Sequence, residues 1–209
     1  MKIDIIAENQ RLEFMTCYEQ DLWQEGNVHI AGVDEAGRGP LAGPVVAAAV
    51  ILSKEDIYIL GLNDSKKISA PKRQVLYHEI KNRALAYAIA WADHNEIDKI
   101  NILQATKLAM TRAIDLLEIK PQHVLIDALV LQNLALPQTA IIRGDSLSVS
   151  IAAASILAKC KRDEIMEDYN LIYPNYGFAK HKGYPTKEHY DSLAKYGPCH
   201  IHRCSFRLA

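Results

Sequence analysis

Apolar residues fall along the chain in two kinds of pattern, one typical of strands and one typical of helices. Residues 44–52 form a continuous Val/Ala/Ile/Leu run, as in a strand buried on both faces. Residues 84–92 are apolar with partial alternation, which also indicates a strand. Together with three shorter runs, these patterns predict strands over residues 28–33, 44–52, 84–92, 123–127 and 140–142.

Helical periodicity appears between and after these strands. Ser69 is a suitable N-cap, and Pro71 lies in the first turn of a helix that we expect to run to about residue 83. The longest predicted helix begins near residue 148, and its apolar first half should be buried. The predicted helices cover residues 70–83, 95–100, 102–118, 148–168 and 186–195, with a Pro/Gly/Tyr-rich loop over 173–185.

Strands concentrated early and helices dominant late predict an α/β protein, a mixed sheet flanked by helices with a helical C-terminal part. We expect one domain over residues 28–209, because 209 residues suit a single core. Residues 1–27 are expected to be an N-terminal extension, with a short helix within 8–24 lying on the main body.

Composition and charge restrict the possible partners. A net charge of −1 excludes a globally basic nucleic-acid binder, so any basic surface must be confined to one face. No apolar run reaches the ~20 residues of a membrane span, and acids and Asn interrupt the N-terminus early, so no secretory signal is expected. The four cysteines suggest no disulfide framework. We therefore expect a cytoplasmic protein with reduced thiols and no membrane contact.

Candidate chemistry begins at the adjacent acids Asp34 and Glu35, which follow an apolar run and precede a Gly-Arg-Gly turn. Neighbouring carboxylates repel, and a hard divalent cation with oxygen ligands removes that conflict. Asp127 ends another predicted strand, and Asp145 follows a third. Taken singly, Asp127 also fits a solvated strand end and Asp145 a helix-capping turn, and spacing alone does not decide between these interpretations.

Ordered motifs across residues 29–207 resemble the ribonuclease HII family. Chance agreement of so many motifs in one order is very improbable. The matching motifs are Gly32-Val-Asp34-Glu35-Ala-Gly37-Arg38-Gly39-Pro40, Asp64-Ser65-Lys66, Leu125-Ile126-Asp127, Gly144-Asp145, Ser155-Ile-Leu-Ala-Lys159, Arg162-Asp163, His181-Lys-Gly183-Tyr184-Pro-Thr186 and His202-Arg203-Cys-Ser205-Phe206.

The resemblance implies a ribonuclease H-like fold and an endonuclease that depends on Mg²⁺ or Mn²⁺, with two ions in the active complex. Its expected substrates are RNA–DNA hybrids and single ribonucleotides embedded in duplex DNA. Cleavage on the 5′ side of the ribonucleotide, leaving a 3′-hydroxyl and a 5′-phosphate, would serve ribonucleotide removal from DNA. The implied catalytic residues and metal ligands are Asp34, Glu35, Asp127 and Asp145, with Asp34 bridging both ions.

The same resemblance assigns substrate-binding roles to Gly37, Arg38, Gly39, Ser65, Lys66 and Tyr184. The Gly-Arg-Gly loop and Tyr184 would read the 2′-hydroxyl that distinguishes a ribonucleotide from its neighbours. Considered in isolation, Tyr184 also fits a packed loop aromatic, and Ser65 and Lys66 a solvated loop. Lys159 and Arg162 could approach phosphate or pair with nearby acids.

Three alternatives remain open. Ribonuclease HIII is the nearest, but it is expected to carry a glutamate as fourth acid and a sizeable N-terminal domain, whereas this chain has Asp145. A resolvase or exonuclease of the same superfold is a second. The third is a non-catalytic binding module, for which loss of at least one acid would be expected. We expect a monomer with no small-molecule organic cofactor.

Overall fold

A single five-stranded mixed sheet organises the computed structural model, which describes residues 5–208. Its order is β3-β2-β1-β4-β5, so that β1 lies at the centre. β1 pairs antiparallel with β2 and parallel with β4, while β3 and β5 form the two edges. The strands are β1 (Ile30–Ala36), β2 (Val45–Leu52), β3 (Ala84–Ala92), β4 (His123–Asp127) and β5 (Gln138–Ile141).

All five predicted strands are present, but β1 is longer than its apolar run. It continues through Ala36, because Asp34, Glu35 and Ala36 still pair with β2. The predicted end of this strand at residue 33 is therefore wrong, and the two acids lie within β1 near its C-terminal end. Although side chains alternate along a strand, Asp34 and Glu35 remain close enough to repel each other and Asp127.

Seven helices surround the sheet within the described part of the chain. They are α1 (Ile5–Met15), α2 (Cys17–Gln24), α3 (Ala70–Arg83), α4 (His94–Asp115), α5 (Val149–Ile172), α6 (Phe178–His181) and α7 (Lys187–Tyr196). The predicted break between residues 100 and 102 is a kink in α4 at Asn101, whose φ is 67°. Between residues 5 and 208, no helix is long and apolar enough to cross a bilayer.

Helices cover both faces of the sheet, and the small side chains of the strands explain how closely they approach. Alanines at alternate positions of β3 pack with α4 on one face. α5 and α3 cover the other face, where the first half of α5 is almost entirely buried, as its apolar sequence predicts. This three-layer arrangement confirms the mixed α/β fold with a helical C-terminal part.

The N-terminal helices rest against α5. Leu12 and Met15 of α1 are buried in the same cluster as the start of α5. Glu19 of α2 is fully buried, and its Oε1 accepts hydrogen bonds from Ser148 Oγ (2.5 Å) and the Ser150 backbone N–H (3.0 Å). In place of the one short helix predicted within residues 8–24, the structure has two helices, α1 and α2, which pack against α5. Residues 1–4 of the predicted extension lie outside the described residues.

Candidate metal and nucleic-acid site

The parallel pairing of β1 and β4 places two predicted acids side by side. Val33 of β1 is opposite Ile126 of β4, so the next residues along the two strands are Asp34 and Asp127. Parallel strands end at the same edge of a sheet. Asp34 and Asp127, more than ninety residues apart in sequence, therefore lie together at the C-terminal ends of β1 and β4. We call this end of the sheet the acidic edge.

Asp145 joins the same edge through the turn that follows β5. Gly144 begins a 3-10 turn that includes Asp145, and the Gly144 backbone N–H donates to Asp127 Oδ1 at 2.7 Å. A Cβ added to Gly144 would lie 2.6 Å from Ile151 of α5, so glycine allows this turn to lie close to the helix. The strand register and this hydrogen bond together bring Asp34, Asp127 and Asp145 to one place.

Mutual repulsion and burial dominate the electrostatics of these acids. Burial, and then the charges of Glu35 and Asp127, raise the pKa of Asp34 well above its usual range. Burial likewise raises the pKa of Glu35 against the opposing effect of Arg38. The pKa of Asp145 is raised by burial and then by the nearby charges of Asp64 and Asp127. The charged forms of these acids are therefore costly in the protein alone.

The donor chemistry of this edge fits a hard divalent cation. Glu35 Oε2 is buried and has no hydrogen-bond partner among the described residues, which leaves an acceptor without a donor. Carboxylate oxygens are the preferred ligands of Mg²⁺ and Mn²⁺. Within residues 5–208, no three His, Cys, Asp or Glu side chains are grouped closely enough to enclose an ion as they stand. The acids thus share an edge without forming a closed ligand shell.

Two basic side chains border the acids. Arg38 Nη1 lies 3.5 Å from Glu35 Oε1. Burial lowers the pKa of Lys66, but the surrounding acids, beginning with Asp64 and Asp145, outweigh burial, and the net shift is upward. Lys66 is therefore a protonated cation beside the acidic edge.

Ser65 faces the interior and not the solvent. Its side chain is 4% exposed, and its Oγ accepts a hydrogen bond from Ser155 Oγ at 2.9 Å. The Ser155 side chain also lies beside the Asp34 carboxylate and lowers its pKa. The Ser65 hydroxyl is thus engaged in a chain that leads to Asp34, whereas its neighbour Lys66 lies beside the acids.

The predicted Gly-Arg-Gly loop and the predicted tyrosine adjoin each other. A Cβ on Gly39 would lie 3.8 Å from Cε1 of Tyr184. The Tyr184 side chain is 38% exposed, so part of its ring is accessible at the surface. Cations lie beside it, with Lys159 Nζ 5.9 Å and Arg162 Cζ 5.7 Å from the ring centroid. The fold therefore places Gly37–Gly39, Tyr184 and the acidic edge in one region.

Two arginines of this region have roles that the sequence did not reveal. Arg162 is fully buried and donates to backbone carbonyl groups, so it takes neither of the roles left open for it, approach to phosphate or pairing with Asp163 or Glu164. Lys159 instead pairs with Asp163, at 2.6 Å, as the alternative interpretation proposed. Arg203 is also fully buried. The sequence did contain one signal of this burial, because Arg162 lies one turn after the apolar first half of α5.

Comparisons with known proteins identify the family. The family model for ribonuclease HII matches residues 31–209. A ribonuclease HII from Desulfitobacterium hafniense (strain DSM 10664 / DCB-2) is 54% identical over 201 residues, covering 96% of this chain and 77% of the relative. A ribonuclease HII from Moorella thermoacetica is 52% identical over 201 residues, covering 96% of this chain and 97% of that protein.

Solved structures agree with this assignment. Ribonuclease H2 from Pyrococcus horikoshii OT3 superposes with a TM-score of 0.71 at 27% identity, over 86% of this chain and 94% of that one. RNase HII from Archaeoglobus fulgidus, solved in a complex with PCNA, gives 0.74 at 26% identity, over 87% and 96%. Bst-RNase HIII, solved with Mn²⁺, shares the fold at 19% identity, with a TM-score of 0.65 over 87% of this chain and 68% of that one. This chain belongs to the ribonuclease HII family, whose members are divalent-metal-dependent endonucleases that act on RNA–DNA hybrids.

Proposed function

We propose that this protein hydrolyses the RNA strand of RNA–DNA hybrids and also cuts on the 5′ side of single ribonucleotides in duplex DNA. The products are a 3′-hydroxyl and a 5′-phosphate. The observation that carries the proposal is the position of the repelling acids at the sheet edge, directly beside the Gly37–Gly39 loop and Tyr184. This arrangement suits chemistry on a phosphodiester next to a recognised sugar.

Asp34, Glu35, Asp127 and Asp145 are the proposed ligands of two divalent ions, either Mg²⁺ or Mn²⁺. When bound there, such ions would supply the positive charge that activates an attacking water and stabilises the departing 3′-oxygen. The four carboxylates would bind these ions at the C-terminal end of the central strand, and Ser155 lies beside Asp34 and favours its charged form. Lys66 adds a protonated group beside the acids, suited to a non-bridging phosphate oxygen.

Recognition of the ribonucleotide is assigned to the loop and the tyrosine. Backbone groups of Gly37, Arg38 and Gly39 bind the 2′-hydroxyl, while the Tyr184 ring packs on the neighbouring deoxyribose. An additional 2′-hydroxyl on that neighbour would collide with the ring, so the pair reads an RNA–DNA junction. The adjacency of Gly39 and Tyr184 supports this division of roles.

We also propose that the chain acts as a monomer without an organic cofactor.

The test is cleavage of a labelled DNA duplex that carries one ribonucleotide, in Mg²⁺ or Mn²⁺. An all-DNA duplex and a continuous RNA–DNA hybrid are run beside it, and each reaction is repeated with a chelator. We expect a metal-dependent cut directly 5′ to the ribonucleotide and none in all-DNA. Cleavage of the hybrid alone would contradict the junction mechanism and indicate a specificity similar to that of ribonuclease HIII.

A further inference from the structure

Two fully buried guanidinium groups lie beneath the loop of residues 37–44. Arg162 of α5 and Arg203 of the C-terminal tail are each 0% exposed. Neither forms an ion pair with any carboxylate between residues 5 and 208. An unpaired buried charge is costly unless hydrogen bonds compensate it, so these groups require an explanation.

Backbone carbonyl groups supply the compensation for Arg162. Its Nε donates to Pro44 O at 3.0 Å, and its Nη2 donates to Ala42 O at 3.2 Å. Its Nη1 donates to Lys182 O at 3.0 Å. One side chain therefore joins the end of the 37–44 loop to the segment that carries Tyr184.

Arg203 binds the other part of the same loop. Its Nη2 donates to Gly37 O at 2.6 Å and to Pro44 O at 3.1 Å, and its Nη1 donates to Arg38 O at 3.0 Å. Its Nε donates to Gly43 O at 2.9 Å. The two arginines thus share Pro44 O and hold the carbonyl groups of the loop towards the interior.

Peptide geometry gives this inward direction a functional consequence. In a trans peptide, the C=O and the following N–H point in opposite directions. Because the carbonyl groups of Gly37 and Arg38 point at Arg203, the N–H groups of Arg38 and Gly39 point away from it. These amides belong to the loop that is proposed to bind the 2′-hydroxyl.

The loop backbone lies directly against the guanidinium groups, with no room for a side chain between them. A Cβ on Gly37 would lie 2.0 Å from Arg162 Nε, and one on Gly43 would lie 2.3 Å from Met166 Sδ. Both glycines have positive φ, 100° and 81°. Glycine at position 37 therefore leaves the space that the Arg162 guanidinium occupies, and glycine at position 43 leaves space for Met166 of the same helix.

Tyr184 is held by the same set of contacts. The Leu41 backbone N–H donates to Gly183 O at 2.8 Å, joining the loop to the tyrosine segment. Arg162, hydrogen-bonded to Lys182 O, also lies 5.7 Å from the Tyr184 ring centroid.

Burial lowers the pKa of Arg162 to about 10 and that of Arg203 to about 9, so both remain charged at neutral pH.

We propose that Arg162 and Arg203 are positioning residues for ribonucleotide recognition. Their hydrogen bonds hold the 37–44 loop and Tyr184 in one arrangement, with the Arg38 and Gly39 amides directed at the substrate. This inference rests on the proposed function of the loop. It assigns specificity to two side chains that do not themselves touch the substrate.

The experiment uses Arg203→Lys and Arg162→Lys in the full-length protein. Lysine keeps the positive charge but cannot donate in a planar fork to several carbonyl groups at once. Arg83→Lys is the matched control, because Arg83 also donates to backbone carbonyl groups, those of Asp56 and Tyr58, outside the site. Hydrogen exchange is measured without substrate, and cleavage is measured on the single-ribonucleotide duplex and on the continuous hybrid.

We expect the hydrogen-bonded amides of Leu41 and Gly43, which donate to Gly183 O and Ile201 O, to exchange at least tenfold faster in both site variants, with β2 unchanged. We also expect kcat/KM for the single ribonucleotide to fall at least tenfold more than for the hybrid. Equal loss on both substrates, unchanged loop exchange, or loss of protection throughout β1 and β2 would each overturn the proposal. If the wild-type protein fails to cut at a ribonucleotide, the proposed function is wrong, whereas loop exchange still tests the positioning.

Discussion

Asp34 carries the largest electrostatic cost among the acids of the candidate site. Its side chain is 5% exposed, and burial together with Glu35 and Asp127 raises its pKa well above the usual range. Ser155 and the Glu35 backbone N–H, which donates to Asp34 Oδ1 at 2.7 Å, favour the charged form and offset only part of this cost. A bound cation would remove the remaining repulsion, so the same residue that destabilises the metal-free protein is the one best placed to bind metal.

Replacement of this acid by its amide tests that interpretation. We expect Asp34→Asn to reduce cleavage by at least about 100-fold, since a ligand charge is lost. Its metal-free melting temperature should equal or exceed that of the wild type, because one repelling charge is gone. Cleavage assays and thermal unfolding measure the two effects. Normal turnover by the variant would reject Asp34 as a metal ligand.

Tyr184 offers a second test, in which the ring and the hydroxyl can be separated. We expect Tyr184→Ala to lower kcat/KM at a lone ribonucleotide by about tenfold or more, since loss of a buried large apolar contact costs about 1.5–3 kcal/mol. Tyr184→Phe keeps the ring and should retain most activity if packing on the sugar dominates. Mn²⁺ affinity, measured by calorimetry, should not change. Unchanged cleavage by Tyr184→Ala would exclude a role in junction reading.

At the level of elements, the close contact between β1 and α5 determines how near the acids lie to the helix that orients them. A Cβ on Gly32 would lie 2.1 Å from the carbonyl carbon of Ser150 and 2.4 Å from the Ile151 nitrogen. Both are backbone atoms, which cannot rotate away. Two positions further along the same face of β1, Asp34 meets Ser155 of α5.

Gly32→Ala should therefore separate β1 from α5 or strain both. We expect a loss of about 3 kcal/mol in the free energy of unfolding, the upper end for overpacking, because the obstacle is backbone. Urea unfolding measures it. Gly39→Ala is the control, since its added Cβ would meet only the Tyr184 ring, at 3.8 Å, and its stability should stay near that of the wild type.

The contact between α2 and α5 depends on a buried acid. Burial raises the pKa of Glu19, and the hydrogen bonds from Ser148 and Ser150 oppose that effect only in part. Its Oε2 has no partner among residues 5–208. Folding therefore favours the protonated form. The stability that this form provides is complete below the ordinary pKa of 4.5 and is lost as the pH rises through the higher folded value.

Glu19→Gln removes this titration while its amide oxygen can still accept both hydrogen bonds. We expect the variant's stability relative to wild type to increase as the pH rises from 4 to 8. Urea unfolding across that range measures the difference, with Glu13→Gln on the exposed face of α1 as the control for charge removal. A difference that is constant or that falls with pH would show that Glu19 is not held in its protonated form.

At the scale of the whole molecule, a net charge of −1 leaves binding to depend on where the basic groups lie. Arg38, Lys66 and Lys67 surround the acidic edge, and Lys67 Nζ lies 3.3 Å from Ser146 Oγ, next to Asp145. Lys54 follows the end of β2. Because β2 runs antiparallel to β1, Lys54 lies at the opposite end of the strands from the acids. These basic groups are thus concentrated beside the site, as expected for a chain of net charge −1 that binds nucleic acid on one face.

Binding of the substrate duplex should weaken as salt increases. With about three to five phosphate contacts, log K should fall with log[salt] at a slope of about −3 to −5. Lys67→Ala should reduce that slope by about one, whereas Lys54→Ala should leave it unchanged. Fluorescence anisotropy in the Asp34→Asn background measures binding without cleavage. Equal effects of the two lysine variants would contradict a basic surface confined to the site.

The sequence by itself determined most of the elements and named the candidate residues of the site. Apolar periodicity located all five strands and the break at Asn101, because these depend on local burial and backbone preference. The acids could be named as candidates because carboxylates at strand ends suit divalent cations. Ordered motifs then indicated the family, which the comparisons confirmed.

Tertiary structure decided which side chains face inward and which segments meet. Ser65 and Arg162 both looked accessible in sequence, yet one bonds Ser155 and the other binds carbonyl groups about 120 residues away, at Ala42 and Pro44. The adjacency of Gly39 and Tyr184 is equally non-local. Burial and the choice of hydrogen-bond partners depend on packing between distant segments, and no local pattern in a single sequence encodes them.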